Sequence, residues 1–251
     1  MKVKNKNLKK TSTIVAFLMC LNANSVNASD LYNLKNLPSP YCNLEKVLPF
    51  NGHGWYGNAE WMKKLFAYNK IVNAVEVGSW LGSSARHMAS MLPAYGKLYC
   101  IDTWEGSAEN RNVNEGLHLL PTLYEQFLSN VIHAGLTAKI VPIKMRSEDA
   151  VGQLAQYGQH FDLIYIDAAH DTESVLKDME AYFPFVANHH GILCGDDWDA
   201  NSVKIAVVAF AQKYNLTVYG AANFWFVAEE GRFRYRSFIS SDNALWKFPK
   251  H

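Results

Sequence analysis

The sequence predicts an α/β fold: a single doubly wound domain on a seven-stranded, mostly parallel sheet with a C-terminal antiparallel hairpin. Three observations predict it. Short β-rich apolar runs alternate with segments of helical periodicity between residues 71 and 214. Within FDLIYIDAAHDTESVLKDMEAYFPFVANHHGILCGDDWD (161–199), strand, helix and strand follow so closely that they imply a right-handed crossover between parallel strands. Finally, LTVYG and NFWFVAE are separated only by Ala-Ala-Asn, enough for a hairpin and too little for a crossover.

Residues 29–57 are rich in Pro, Gly and Asn with scattered aromatics, and read as an irregular arm that packs on the domain or covers a site. The domain proper spans 58–230. AEWMKKLFAY is a helix and IVNAVEVG the first core strand. GSSARHMASML places Ala85, Met88, Ala89 and Leu92 on one helical face. KLYCID is the second strand, ending on Asp102, and TWEGSAENRNVNEG a polar loop. LPTLYEQFLSNVIHAG is a helix with Leu120, Leu123, Phe127 and Val131 on one face and Gly135 near its stop. KIVPI is the third strand, and SEDAVGQLAQYG a helix capped by Ser147. FDLIYID ends on Asp167. The helix after it carries Val175, Met179, Phe183 and Val186 at near-helical spacing. GILCGDD ends on Asp196 and Asp197, and SVKIAVVAFAQKY, with Asn201 as its cap, is the last helix. The segment 231–251 is an aromatic and basic tail with no assigned structure.

The first 28 residues stand apart. MKVKNKNLKK carries five lysines and no acid, TSTIVAFLMCLNA is a short apolar run, and Val26-Asn27-Ala28 fits the small-residue cleavage rule. Together they read as a signal peptide, too short to span a bilayer, so an exported chain beginning at Ser29 is expected, with no membrane insertion after cleavage. A cytoplasmic chain with a basic tail is the alternative. Cleavage would remove five of 24 basic residues and none of 23 acidic ones, leaving a net charge of −4. No Lys/Arg block remains, which argues against nucleic acid as a partner. Of four cysteines, Cys20 lies in the apolar run, while Cys100 and Cys194 fall inside buried strands. That is no disulfide framework, so the thiols are expected to be reduced.

Both central strands end at the same sheet edge, and in open α/β sheets ligands bind there. Asp167, Asp196 and Asp197 would repel one another at that edge unless a cation or proton intervened. Carboxylates are hard oxygen ligands suited to Mg²⁺. His170, three residues beyond Asp167, can reach the same mouth as a general base, or merely cap the next helix. In EVGSWLGSS, Gly78 lets backbone pass close to a ligand and Gly82 allows close helix–sheet packing. The spacing is GxxxG, unlike the dinucleotide GxGxxG, which disfavours a nicotinamide-dependent oxidoreductase. Glu76, an acid inside an apolar strand, needs a polar ligand or backbone donors. A carboxylate at Asp102 can accept from both hydroxyls of a ribose. His53, Trp55, Tyr56 and Trp104 could close over the site, although ordinary packing explains them as well. His189 and His190 are expected to be solvated.

EVGSWLGSS, CIDTWEGS, FDLIYIDAAHDTESVLKD and HGILCGDDWD together resemble class I S-adenosylmethionine-dependent methyltransferases, with a Rossmann-like fold. Within these they are similar to metal-dependent O-methyltransferases, notably the macrocin and catechol types and their cephalosporin-hydroxylase-like relatives. The resemblance covers roughly residues 50–230. It implies that Glu76, Gly78, Ser79 and Gly82 belong to the cofactor loop, with the first three on the methionine side. By the same resemblance Asp102 takes the ribose, and Ser147 with Glu148 lies near the adenine. It further implies Asp167, Asp196 and Asp197 as magnesium ligands and His170 as the base. The catechol type carries an amide at the position of Asp197 and no histidine at that of His170, which favours a sugar-like or other diol acceptor. The expected activity is metal-assisted O-methylation of a small hydroxylated molecule. The competing expectations are a metal-independent methyltransferase and a cofactor-binding protein without transferase activity. The aromatic stretches at both ends could mediate homo-oligomer formation.

Overall fold

Alternation along the central strands decides how the layers form. In β1 (Asn73–Val77), Ala74 and Glu76 point to one face of the sheet and Val75 and Val77 to the other, and all four are buried. In β4 (Leu163–Ile166), Leu163 and Tyr165 face one core, Ile164 and Ile166 the other. A strand apolar on both faces must be covered on both, which is the pattern of a parallel sheet between helix layers. The computed structural model of the chain describes residues 33–106, 116–158, 160–187 and 190–228. The expected leader 1–28, His189 and the tail 231–251 fall outside them.

With β2 (Lys97–Asp102), β3 (Ile140–Lys144), β5 (Ile192–Gly195), β6 (Thr217–Ala221) and β7 (Phe224–Ala228), the strands form one seven-stranded sheet in the order β3-β2-β1-β4-β5-β7-β6. The first five are parallel, and β7 pairs antiparallel with both β5 and β6. This is the Rossmann-like, mostly parallel sheet with an antiparallel C-terminal hairpin. The chain winds outward from β1 to β3, then returns to lay β4 beside β1. That reversal opens a crevice at the carboxyl ends of β1 and β4, where ligands bind in such sheets.

Helices α1 (Ala59–Tyr68), α2 (Ser83–Met91) and α3 (Leu123–His133) contribute to the core on one face. Helices α4 (Ser147–Tyr157), α5 (Thr172–Tyr182) and α6 (Asn201–Tyr214) contribute to the other. Cys100 and Cys194 are buried free thiols, and Cys42 is free as well. The arm is tied to α3 by side chains: Gln126 donates to the Pro49 carbonyl, Ser129 accepts from the Leu48 N–H, and Asn130 exchanges two bonds with the Asn51 backbone. Among the described residues no helix is long and apolar enough to cross a membrane.

Four local expectations are corrected. Arg146, not Ser147, is the N-cap of α4, and Ser147 is the first helical residue. Likewise Ala200 precedes α6 and Asn201 lies inside it, with no side-chain cap at either helix. Leu120 belongs to a 3₁₀ segment, Leu117–Thr122, containing Pro121, so α3 begins only at Leu123. Pro184 lacks an N–H to continue the ladder, so α5 ends at Tyr182 and a separate turn, Pro184–Ala187, follows. Tyr182 is fully buried, while Phe183 packs edge-on against Phe210 at 5.1 Å.

Candidate active site

A cavity of about 920 Å³ occupies the carboxyl edge of the sheet. Its walls come from the loops after β1 (Gly78, Ser79), β2 (Asp102), β3 (Ser147, Glu148), β4 (Asp167, His170) and β5 (Asp196, Asp197). The arm adds Trp55 and Tyr56. Glu76 and Gly82 do not border it. Neither do His53 and Trp104, and Trp104 is instead buried, donating its indole N–H to the Trp80 carbonyl.

The β1 loop is built by two acids. Glu76 is fully buried, and its carboxyl accepts from the hydroxyls of Ser79 (2.6 Å) and Ser84. Burial raises its pKa to about 7, against the opposing hydrogen bonds from Ser79, Ser84 and the Cys100 thiol. Asp102 is equally committed. One oxygen accepts from the N–H groups of Ser79 (2.9 Å) and Trp80 (2.8 Å), the other from that of Trp104 (2.7 Å). A carboxylate offers about four lone-pair directions. At least three are met by backbone N–H groups, which fix the carboxylate where it lines the cavity. Gly78 has φ +91°, and a Cβ there would collide with the Asp167 carbonyl, so only glycine lets β1 and β4 close up at the crevice. Gly82, at φ +77°, starts α2 against the Phe127 ring.

On the opposite wall, Asp167, His170 and Asp197 each offer a ligand atom, all within 4.8 Å of one another. His170 Nε2 lies 3.0 Å from Asp197 Oδ2, and Asp197 is held at φ +59°. Asp171, not His170, caps α5, accepting from the Ser174 N–H at 3.0 Å. Asp196 lines the same cavity beside this set. It accepts from the Tyr165 hydroxyl at 3.0 Å and from the Asp197 N–H at 2.7 Å, and Asn58 donates to Tyr165 at 3.3 Å. Among the described residues Asp167, His170 and Asp197 thus form one tight set, and Asp196, the third expected ligand, stands beside it as the charge that acts most strongly on Asp167. Burial first, then the charges of Asp196, Asp197 and Glu76, pushes the Asp167 pKa well up. Burial also raises that of Asp196, against the Asp197 N–H. Such a cluster holds protons or a cation. The Asp167 and Asp197 carboxylates, with Asp196 alongside, are hard oxygen ligands that fit a divalent cation such as Mg²⁺ or Mn²⁺, and the His170 imidazole beside them is left to take a proton.

Sequence reasoning missed three contributors. Tyr165 and Asn58 orient Asp196, and Asp178 is a buried acid at the cavity wall beside Ser147. Asp178 could have been found, because it falls on the buried face of α5 with Val175, Met179 and Tyr182.

Residues 75–198 match a family model described as a methyltransferase domain. No curated protein matches the chain. Among solved structures, the fold is similar to an O-methyltransferase from Bacillus cereus in complex with SAH (14% identity, TM-score 0.50, covering 72% of this chain and 83% of that one). It is also similar to the O-methyltransferase TomG from Streptomyces achromogenes in complex with SAM (15% identity, TM-score 0.50, 74% and 82% covered). A third is the cofactor-bound protein Rv0187 from MTB (17% identity, TM-score 0.53, 80% and 85% covered). At such identities the likeness establishes the fold.

Proposed function

On the premise that residues 75–198 are a class I methyltransferase domain, we propose that this protein is an S-adenosylmethionine-dependent O-methyltransferase acting on a small hydroxylated, sugar-like or diol acceptor with the help of Mg²⁺. One observation carries the reading. A single cavity joins the Gly78 loop and Asp102 on one side to the Asp167–His170–Asp197 cluster on the other. A nucleoside cofactor and a metal-bound acceptor would therefore face each other across one space.

In this reading S-adenosylmethionine supplies a methyl group on a positively charged sulfur. Asp167 and Asp197, with Asp196 alongside, would hold Mg²⁺, which would supply positive charge favouring ionisation of the acceptor hydroxyl. The chain's own residues do the rest. The loop Gly78–Ser79 gives the methionine end a backbone surface, fixed from behind by Glu76. Asp102 holds the N–H groups of Ser79 and Trp80 in place and accepts from the ribose. Ser147 and Glu148 border the adenine end. His170, oriented by Asp197, takes the acceptor proton on an imidazole nitrogen. Trp55 and Tyr56 cover the cavity and limit water, so that the acceptor oxygen is held in line with the methyl group.

A metal-independent variant has its own support: His170 Nε2 lies 3.0 Å from Asp197 Oδ2, and Asp196 accepts from the Tyr165 hydroxyl. In that case Asp197 orients His170 as the only base. Methyl transfer from labelled S-adenosylmethionine to a panel of polyols and catechols, with Mg²⁺ and with a chelator, tests the proposal. Transfer that stops in chelator supports the metal-assisted form, and transfer that persists supports the dyad. No transfer combined with tight S-adenosylhomocysteine binding would favour a silent binding protein.

A further inference from the structure

Asp178 has no part in the chemistry above, yet it is only 6% exposed and borders the cavity. Its carboxyl is hydrogen-bonded by the Ser147 hydroxyl, and the nearest charges, Glu148 and Asp171, are themselves acidic. Among the described residues no salt bridge involves it. A buried carboxyl with most of its lone pairs unspent is costly unless something else donates to it. One helical turn further along α5, the Tyr182 hydroxyl donates to the Ser147 carbonyl at 2.7 Å. Two residues of α5 thus bond the first residue of α4.

Ser147 brings a donor of the opposite kind. As the first residue of an 11-residue helix, its N–H has no carbonyl within the helix to bond. The Arg146 carbonyl serves the N–H groups of Asp149 and Ala150, and Arg146 provides no side-chain cap. One wall of the cavity therefore sets an N–H donor beside a carboxyl acceptor. Adenine's Watson–Crick edge is the complement: ring N1 accepts and the 6-amino group donates. Hypoxanthine, with a 6-oxo group and a proton on N1, presents the reverse.

We propose that Asp178 is a specificity-determining residue for the adenine ring of the S-adenosyl group, accepting from its 6-amino group while the Ser147 N–H donates to N1. The inference rests on the cofactor reading and deepens it. It also explains the placement of an acid on the buried face of α5, where an apolar residue would pack without cost.

The test is calorimetric titration of the full chain with S-adenosylhomocysteine and with its 6-oxo analogue, S-inosylhomocysteine. The wild type should prefer the adenine compound by about 10- to 100-fold, the value of one charge-assisted hydrogen bond. Asp178→Asn, whose amide can donate to a 6-oxo group, should lose most of that preference through both weaker adenine and stronger hypoxanthine binding. Asp178→Ala should weaken the adenine compound without strengthening the other. A merely structural Asp178 would weaken both ligands together. An Asp178→Asn protein with the wild-type preference, or a wild type with no preference, overturns the assignment and leaves the cofactor reading standing. A wild type that binds neither nucleoside overturns both. The wild-type ratio needs no variant, so it decides the matter even if a substitution impairs folding.

Discussion

Replacing Glu76 by glutamine should make the protein more stable above neutral pH, and the size of the gain can be worked from its surroundings. The folded carboxyl has a pKa of about 7, against 4.5 for the unconstrained group. Between those values the folded chain keeps the proton while the unfolded chain releases it, so stability falls as pH rises through that window. At about 1.36 kcal/mol per unit, the full loss is about 3 kcal/mol once pH exceeds 7. The glutamine amide would carry no charge to bury and could still accept from Ser79 or Ser84. Urea unfolding from pH 5 to 8 should show the two proteins within about 1 kcal/mol at the acid end and about 3 kcal/mol apart at the alkaline end. Taking the difference between them cancels the titration of Asp178, while loss of the Glu76 charge also lowers the Asp167 pKa and widens the gap in the same direction. Parallel curves would refute the burial argument. A glutamine protein less stable at every pH would show that the Ser79, Ser84 and Cys100 hydrogen bonds outweigh desolvation and keep Glu76 ionised.

Asp102→Ala removes the acceptor of three backbone N–H groups, so it should lower stability by about 2–4 kcal/mol and weaken S-adenosylhomocysteine binding together; an unchanged melting temperature with weakened binding would return Asp102 to a purely ribose-binding role. Asp167→Asn relieves carboxylate repulsion, so in chelator its melting temperature should equal or exceed that of the wild type, while calorimetric Mn²⁺ binding disappears; a much lower melt would make the cluster structural. His170→Ala should reduce turnover by about 10²- to 10⁴-fold and recover partly at high pH, where the acceptor ionises unaided; full activity at neutral pH would remove His170 as the base. For the leader, we propose that the natively expressed protein begins at Ser29, and N-terminal sequencing that finds Met1 or Lys2 would reject export.

Much of the fold was legible because its signals are local. Alternation in NAVEV and LIYI, and the short turn before NFWFVAE, were enough for strand number and hairpin. The helix starts were misread where the cap was not a side chain: Ser147 and Asn201 are good capping types, but each sits one residue inside its helix. At the site, the acids were legible in the sequence and their hydrogen-bond partners were not. Glu76 is anomalous in an apolar strand, yet only the β1–α2 turn brings the hydroxyls of Ser79 and Ser84 onto it. Asp196 and Asp197 are indistinguishable as neighbours in the chain. The positive φ of Asp197 sends its carboxylate toward His170, and Tyr165 holds that of Asp196. Tyr165 could not be connected to Asp196 without the β4–β5 pairing, in which it lies opposite Cys194.

The central claim, that the cavity at the β1–β4 crevice takes an S-adenosyl nucleoside, is tested most directly by calorimetric titration of the wild-type protein with S-adenosylhomocysteine. The account predicts saturable binding at one site per chain, with a dissociation constant in the range of about 1 µM to 1 mM typical of enzyme–substrate pairs. It also predicts that Asp102→Ala weakens this binding. No heat of binding at millimolar ligand, from a protein that melts cooperatively, would contradict it.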